Sequence, residues 1–353
     1  MRSKTKPSSW VRRHLASLIS FGVVLVVVLG LAWPMPGYYM ETPGTTESVS
    51  QMVKVAGRTA TQDGDLYLTT VSLQNPITPA FWIYAQFNHF ATIYSAKDLT
   101  GGLNSSQYNL VNQFYMQTAQ NTAVYQAFKL ANKPYKLVYD GVYVLQIDQN
   151  STFNGKLQIA DTVTGVDGKT FESSAALMRY VQSQKIGSPV TIAVTRMDGS
   201  KHNFSGKIIK LSNGKPGIGI GLVDHTGVTT TPKVTIDAGA IGGPSAGMMF
   251  TLEIYSQLTG KDLTQGKRIA GTGTINEDGT IGQIGGEDKK VATASKEGAV
   301  VFLVPDSGGK TADDNNYIGA KEAAKKLGTK MKIVPVKTLK DALTYLETGK
   351  VVD

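Results

Sequence analysis

Cysteine is absent from the chain. Disulfides, thiolate nucleophiles and cysteine-ligated zinc or iron–sulfur centres are therefore excluded. Histidine is scarce: His14, His89, His202 and His225 are the only four in 353 residues, and no two are close in sequence. A metalloprotease helix with paired histidines is excluded too, and neither a metal nor a cofactor is expected. Acidic residues are missing from the first 40 positions, which hold Arg2, Lys4, Lys6, Arg12 and Arg13. Those five cations supply more than half of the net charge of +9, so the excess implies no nucleic-acid partner.

Residues 15–33 (LASLISFGVVLVVVLGLAW) run without a charge. As a helix they would span roughly 28 Å, close to the hydrocarbon thickness of a bilayer. Trp10 and Trp33 lie near the two ends, where amphipathic rings prefer to sit. The basic cluster comes first, so the positive-inside rule puts the N-terminus in the cytoplasm and everything after residue 34 outside. A cleaved signal peptide is the competing reading, but Ala32-Trp33-Pro34-Met35-Pro36 is a poor cleavage site. An uncleaved, single-pass anchor in the cell membrane is expected.

Residues 34–62 are rich in proline, glycine and threonine and read as a stalk or irregular stretch. Residues 65–73 alternate as a strand does. Residues 105–132 carry Leu110, Phe114, Ala119, Val124, Ala127 and Leu130 at roughly helical spacing. A strand follows at 141–147, then a second that ends in an Asp167-Gly168 turn. Residues 173–184 give an amphipathic helix with Ala176, Met178 and Val181 as its apolar set. Residues 190–196 and 201–209 close a hairpin across Asp198-Gly199. This order resembles a bacterial-type PDZ domain. Gly155, Leu157, Asp161, Val163 and Gly168 carry the resemblance, with Ala160 where the family has glycine. It implies capture of an extended peptide by strand addition to a sheet edge. A small sandwich-like module without a ligand is the other reading. From 217 onward strands and helices alternate, which predicts an α/β or α+β domain.

One segment carries chemistry: Gly242-Gly243-Pro244-Ser245-Ala246-Gly247. Read as G-x-S-x-G it could mark an α/β-hydrolase elbow. That fold needs its base histidine after the serine, and all four histidines precede Ser245. His202 falls in the hairpin and His225 in a Gly/Thr-rich loop, so neither suits a triad in another order. Lysine is the natural alternative base. Ser245 opens an apolar helix in which Met248, Met249, Leu252, Tyr255 and Leu258 recur and Gly260 ends the run. There it stands among free backbone N–H groups at the positive end of the helix dipole, which can also stabilise an oxyanion. The small residues Gly243, Ala246 and Gly247 would let a substrate backbone approach. A serine that only caps the helix leaves these small neighbours unexplained.

Fourteen lysines follow Ser245. On a helical wheel Lys290, Val291, Ala294 and Gly298 share one side, and Lys289, Thr293 and Lys296 the polar side. Lys290 is thus expected at the buried edge and Lys289 in solvent. A free lysine titrates at about 10.4. Partial burial disfavours its charged form and can bring the pKa to about 7 to 8, where it can take and return a serine proton. The wheel alone leaves open whether Lys290 is this base or a lysine snorkelling at a helix end.

Residues 217–353 resemble the proteolytic domain of the Lon family of serine–lysine peptidases. Gly243-Pro244-Ser245-Ala246-Gly247 matches its G-P-S-A-G core, and Ala270-Gly271-Thr272-Gly273 its T-G strand. Gln283-Ile284-Gly285-Gly286, then Lys290, matches its P-I-G-G-x-x-x-K element with Gln283 in place of proline. The resemblance implies Ser245 as nucleophile, Lys290 as general base and Thr272 as support for the lysine, with Gly243, Pro244 and Ala246 around them. Gly242 stands where ATP-dependent members carry an acidic residue. Ser307-Gly308-Gly309-Lys310-Thr311 mimics the end of a P-loop, but Val304 occupies its required earlier glycine, so no nucleotide partner is expected.

Together these parts make an α+β chain that resembles the membrane-tethered, ATP-independent YlbL-like branch of that family. The expected divisions are a cytoplasmic basic tail (1–14), a transmembrane helix (15–33), an extracellular segment folding with the peptidase (34–135), a PDZ-like domain (136–212) and a Lon-like domain (213–353). The resemblance implies an extracellular serine endopeptidase acting on peptides or exposed protein segments, recruited by the PDZ-like part. The family's ring assemblies make a homo-oligomer a further expectation. A non-catalytic surface scaffold that binds peptide tails is the alternative.

Overall fold

The computed structural model describes residues 9–58 and 63–352; Arg2, Lys4 and Lys6 of the basic tail, and residues 59–62, lie outside the described residues. The elements begin with α1 (Ser9–Leu31), β1 (Tyr38–Ser48), α2 (Val49–Met52), β2 (Val53–Val55), β3 (Asp65–Gln74), α3 (Pro79–Phe87), β4 (Thr92–Ser95), α4 (Ala96–Thr100) and α5 (Ser105–Leu130). Next come β5 (Tyr135–Ile147), β6 (Thr162–Val166), α6 (Ser174–Gln182), β7 (Pro189–Thr195), β8 (Lys201–Lys207), β9 (Ile209–Lys210), β10 (Pro216–Gly217) and β11 (Ile220–Thr230). The last are β12 (Val234–Ile236), α7 (Gly247–Thr259), β13 (Arg268–Gly271), β14 (Thr274–Ile275), β15 (Ile281–Gly282), α8 (Glu287–Lys296), β16 (Val301–Pro305), α9 (Asn316–Leu327), β17 (Lys332–Val336) and α10 (Leu339–Thr348). They fall into two compact units, Met1–Pro43 with Val71–Gly102, and Gly44–Thr70 with Leu103–Asp353.

In the first unit, the window His14–Leu31 of α1 is long and apolar enough to cross a membrane, and none of it is buried. The start of β1 pairs antiparallel with β4, from Tyr38↔Ser95 to Glu41↔Thr92. The described part of that stretch, residues 34–58, is therefore not an irregular stalk: it holds β1, α2 and β2. Proline and glycine hid the strand. Gly44 is required there because a Cβ would collide with the Thr70 hydroxyl.

The second unit holds two sheets that matter for the site. One is parallel where β13 pairs with β3 and β16, and β16 with β17. Helices α8 and α9 provide the crossovers that parallel strands need. Every residue of β16 (VFLVP) is buried, as expected for a strand covered on both faces. Helix α7 is buried nearly all round, and its polar side chains Thr251, Glu253, Ser256 and Gln257 are buried along with its apolar ones. It shares a core with α5, Leu66 and Leu68 of β3, and Leu303 of β16. β2 pairs with β12, and Gln257 of α7 bonds both the Val55 amide (3.0 Å) and the Val53 carbonyl (3.1 Å).

The other sheet is antiparallel, in the order β11-β5-β6-β7-β8. Alternation splits β5 between two cores. Val142 and Val144 pack with Phe153, Ile192 and α6, while Tyr143 and Leu145 pack with Val111 and Phe114 of α5. The predicted turns form: Asp167 and Gly168 both have positive φ, at 50° and 72°. Three expectations are corrected. The buried residues of α6 are Leu177 and Val181, and Met178 is exposed, because the helix is rotated from the face assumed. His225 lies in β11, not in a loop, and β11 carries the sheet past residue 212. The T-G strand expected at Ala270-Gly271-Thr272-Gly273 is cut short, with β13 ending at Gly271 and β14 beginning at Thr274.

Candidate active site

Helix α7 begins at Gly247 with Ala246 as its cap residue, so Ser245 stands two residues before the first turn and does not open the helix. Its carbonyl is held by the Gly273 amide at 2.8 Å and by the Thr272 hydroxyl at 3.2 Å. Its side chain does not serve as a cap. Instead, Lys290 Nζ donates to Ser245 Oγ at 2.7 Å. Lys290 Nζ also donates to Thr272 Oγ1 at 3.0 Å. Lys290 and Thr272 are buried, while Ser245 is only half-buried and so within reach of solvent.

Two of the small residues around the serine have packing reasons of their own. A Cβ on Gly247 would sit 2.6 Å from Ile275 Cγ2, and Ala246 is buried. Gly243 has φ +86° and donates its amide to the Asn112 carbonyl of α5 at 2.8 Å. Helix α5 thus fixes the turn that leads through Pro244 to Ser245.

Lys290 is aimed by the start of α8. Gly286 adopts φ +69° as its cap residue, and the Lys290 amide bonds the Gly286 carbonyl at 3.0 Å. The preceding loop is tied to α9. Ile284 N–H donates to Asn316 Oδ1 at 2.8 Å, Asn316 Nδ2 donates to the Ile284 carbonyl at 3.0 Å, and the Asn316 amide bonds Gln283 Oε1 at 3.2 Å. Asn316 Nδ2 also donates to Glu287 Oε2 at 3.1 Å; burial pushes the Glu287 carboxyl up. Nothing in the linear sequence pointed to Asn316. Lys289 is not in solvent. It is as buried as Lys290 and pairs with Asp288 at 3.1 Å, and Thr293 is buried as well. The wheel failed because α8 is enclosed on more than one side. The P-loop-like segment is a surface turn in which Ser307 Oγ donates to the Asp314 carbonyl at 2.6 Å.

A second feature lies between α6 and β11. Strand β11 is an edge of its sheet. A groove of about 470 Å³ runs beside it, lined by Leu177, Met178 and Val181 of α6 and by Gly219, Ile220 and Leu222. Further along, Thr118 and Asn121 of α5 donate to the Asp224 and Thr226 carbonyls at 2.9 and 2.6 Å, so the strand edge is occupied there. On β11, His225 stacks on Tyr143 (4.0 Å between ring centroids), and Tyr143 stacks on Phe114 (4.1 Å). Burial holds the His225 imidazole below its ordinary pKa and pushes the Tyr143 phenol up to about 12, with Asp140 adding to the latter. Among the described residues, no three His, Asp or Glu side chains are grouped to hold a metal.

Residues 116–208 match the PDZ domain family, and residues 227–348 match the Lon protease (S16) C-terminal proteolytic domain. The chain carries a PDZ domain and a Lon-type proteolytic domain. Ser245, Thr272 and Lys290 all lie within the proteolytic domain, and the groove between α6 and β11 belongs to the PDZ fold and the strand that completes its sheet. A Lon protease of Neorickettsia sennetsu is 30% identical over 103 residues, covering 29% of this chain and 11% of the relative. A Lon protease of Metamycoplasma arthritidis is 33% identical over 132 residues, covering 37% of this chain and 15% of the relative. The match thus spans only a small part of those relatives. Among solved structures, the PDZ domain of the SdrC-like protein from Listeria monocytogenes is 34% identical, with 25% of this chain and 93% of that one covered, at a TM-score of 0.24.

Proposed function

We propose that this chain is a membrane-anchored, ATP-independent serine endopeptidase that cuts peptides or exposed protein segments with Ser245 and Lys290. The carrying observation is the 2.7 Å separation of Lys290 Nζ from Ser245 Oγ inside a domain of proteolytic type. Burial favours the neutral amine of a lysine. In that form Lys290 takes the Ser245 proton as Oγ attacks the scissile carbonyl. The resulting ammonium gives the proton to the leaving amine as the C–N bond breaks, and an acyl-enzyme remains. Lys290 then deprotonates water, which attacks the ester, and returns that proton to Ser245 Oγ. The Gly247 and Met248 amides are committed to the Pro244 and Gly273 carbonyls at 3.2 and 3.1 Å. The Ser245 and Ala246 amides are therefore the proposed donors to the oxyanion.

The PDZ groove between α6 and β11 recruits an extended segment by strand addition at the open part of the β11 edge. Helix α1 anchors the chain, and its basic N-terminal flank supports an orientation with the catalytic domain outside the cell. The packing of α5 on α7 and of β3 beside β13 supports a peptidase fold into which the PDZ domain is inserted.

The test is covalent. A fluorophosphonate probe is expected to label the full chain at Ser245, and labelling should vanish in Ser245→Ala. Peptide cleavage should be lost in Ser245→Ala and in Lys290→Ala while both remain folded. Retained cleavage in either variant would overturn the dyad.

A further inference from the structure

Helix α3 (PAFWIYAQF) has no buried residue. Apart from Gln86, its exposed side chains are apolar or aromatic. Ala80, Ile83, Tyr84 and Phe87 follow one another at helical spacing along one exposed stripe, with Ile83 50% and Phe87 84% exposed. A helix on a water-facing surface normally shows its charged side there. Here no Asp, Glu, Lys or Arg occurs anywhere between Asp65 and Lys97. An outward apolar stripe of this kind marks a surface that something covers.

The surroundings of α3 identify the cover. Within the same unit, α3 touches α1, the helix long enough to cross a membrane. The chain entering α3 is stitched to the residues just after α1: Met35 N–H donates to the Ile77 carbonyl at 2.7 Å, and Asn75 Nδ2 to the Pro36 and Tyr38 carbonyls at 3.1 and 2.8 Å. Trp82 packs edge-on against Tyr38 at 5.1 Å. Trp33, 71% exposed, follows α1 closely in the chain, two residues before Met35, whose amide bonds Ile77. Aromatic rings collect at the depth where hydrocarbon gives way to headgroups. The stripe is a convex helix face, not a groove, which fits a lipid surface better than an inserted peptide.

We propose that the outward face of α3, together with Trp33, is seated in the headgroup–acyl boundary of a lipid bilayer. The patch then forms a second membrane contact beside the spanning helix, as interfacial helices do. The inference rests on the reading of α1 as an anchor.

The absence of cysteine makes a clean test available. The full chain carrying Phe87→Cys, Leu25→Cys or Met197→Cys is labelled with a nitroxide and reconstituted into vesicles of phosphatidylcholine and phosphatidylglycerol. Collision rates with oxygen, which concentrates in lipid, and with a water-soluble nickel chelate are then measured by electron paramagnetic resonance. The expected order of the oxygen-to-nickel ratio is Leu25→Cys highest, Phe87→Cys intermediate and Met197→Cys lowest. If Phe87→Cys matches Met197→Cys while Leu25→Cys stays deep, the α3 contact is wrong and the anchor stands. If Leu25→Cys is also water-accessible, the anchor fails and the α3 proposal with it. If the Phe87→Cys label is shielded from both reagents, protein covers the stripe and the bilayer is ruled out.

Discussion

Thr272 Oγ1 donates to the main-chain carbonyl of Ser245 at 3.2 Å and accepts from Lys290 Nζ at 3.0 Å. One buried hydroxyl thereby measures out the distance between the two proposed catalytic groups. Its lone pair positions the amine, and its proton fixes the backbone that carries the serine.

Removing that hydroxyl should separate positioning from binding. Thr272→Val is expected to lower kcat by about 10²-fold, the cost of a small misplacement of reacting groups. KM should hold, since the valine stays buried. Thr272→Ser, which keeps the hydroxyl, should recover most of the rate. Steady-state kinetics on one peptide checks all three values.

Gly247 is required by contact, not by backbone conformation. Gly247→Ala places a methyl against Ile275 Cγ2 and should cost about 1–3 kcal/mol by overpacking. The same change in an Ile275→Ala background should cost less, because the obstructing methyl is gone. Urea denaturation of the four members of the cycle measures the coupling.

The PDZ groove should act on capture alone. Met178 lines it and is exposed, so Met178→Asp should leave the fold intact. A charge on the groove wall is expected to raise KM about tenfold for a long substrate that occupies the groove. The kcat should not change, and a short peptide that reaches only Ser245 should show no difference.

His225 sets a stability limit on the acid side. Its folded pKa lies below the unfolded value because burial disfavours the imidazolium, with Asp140 opposing in part. The unfolded chain therefore binds the proton first. Stability is complete above the unfolded value of about 6.5 and declines as pH falls from there through the folded value. Its near neighbours are Tyr143, stacked on the ring, and Thr162 Oγ1, 3.0 Å from Nδ1. Denaturation curves from pH 7.5 to 5 should show this decline, and His225→Gln should flatten it.

The proposed dyad could be picked out in sequence because its motifs are local. The serine turn, the T-G strand and the loop before Lys290 each announce themselves within a few residues. What escaped was set by distant neighbours. The burial of Lys289 depends on what packs around α8, and no wheel contains that information. Asn316 reaches the Gln283 loop from another helix. The strand β1 was masked by Pro43 and Gly44, the latter present only because Thr70 lies against it. The face of α6 was misread because Leu177 and Met178 both line the groove and both are apolar, yet only Leu177 is also buried in the core.

Helix α5 contributes to two cores at once. Val111 and Phe114 pack on β5, while Ala123, Ala127 and Phe128 pack in the core shared with α7. Its 26 residues make a rod of about 39 Å. Heating cannot melt the antiparallel sheet away from this rod without stripping one of its faces, nor melt the core around α7 without stripping the other. Calorimetry should therefore record one shared transition for the second unit, and the temperature that ends peptide capture should also end bond cleavage.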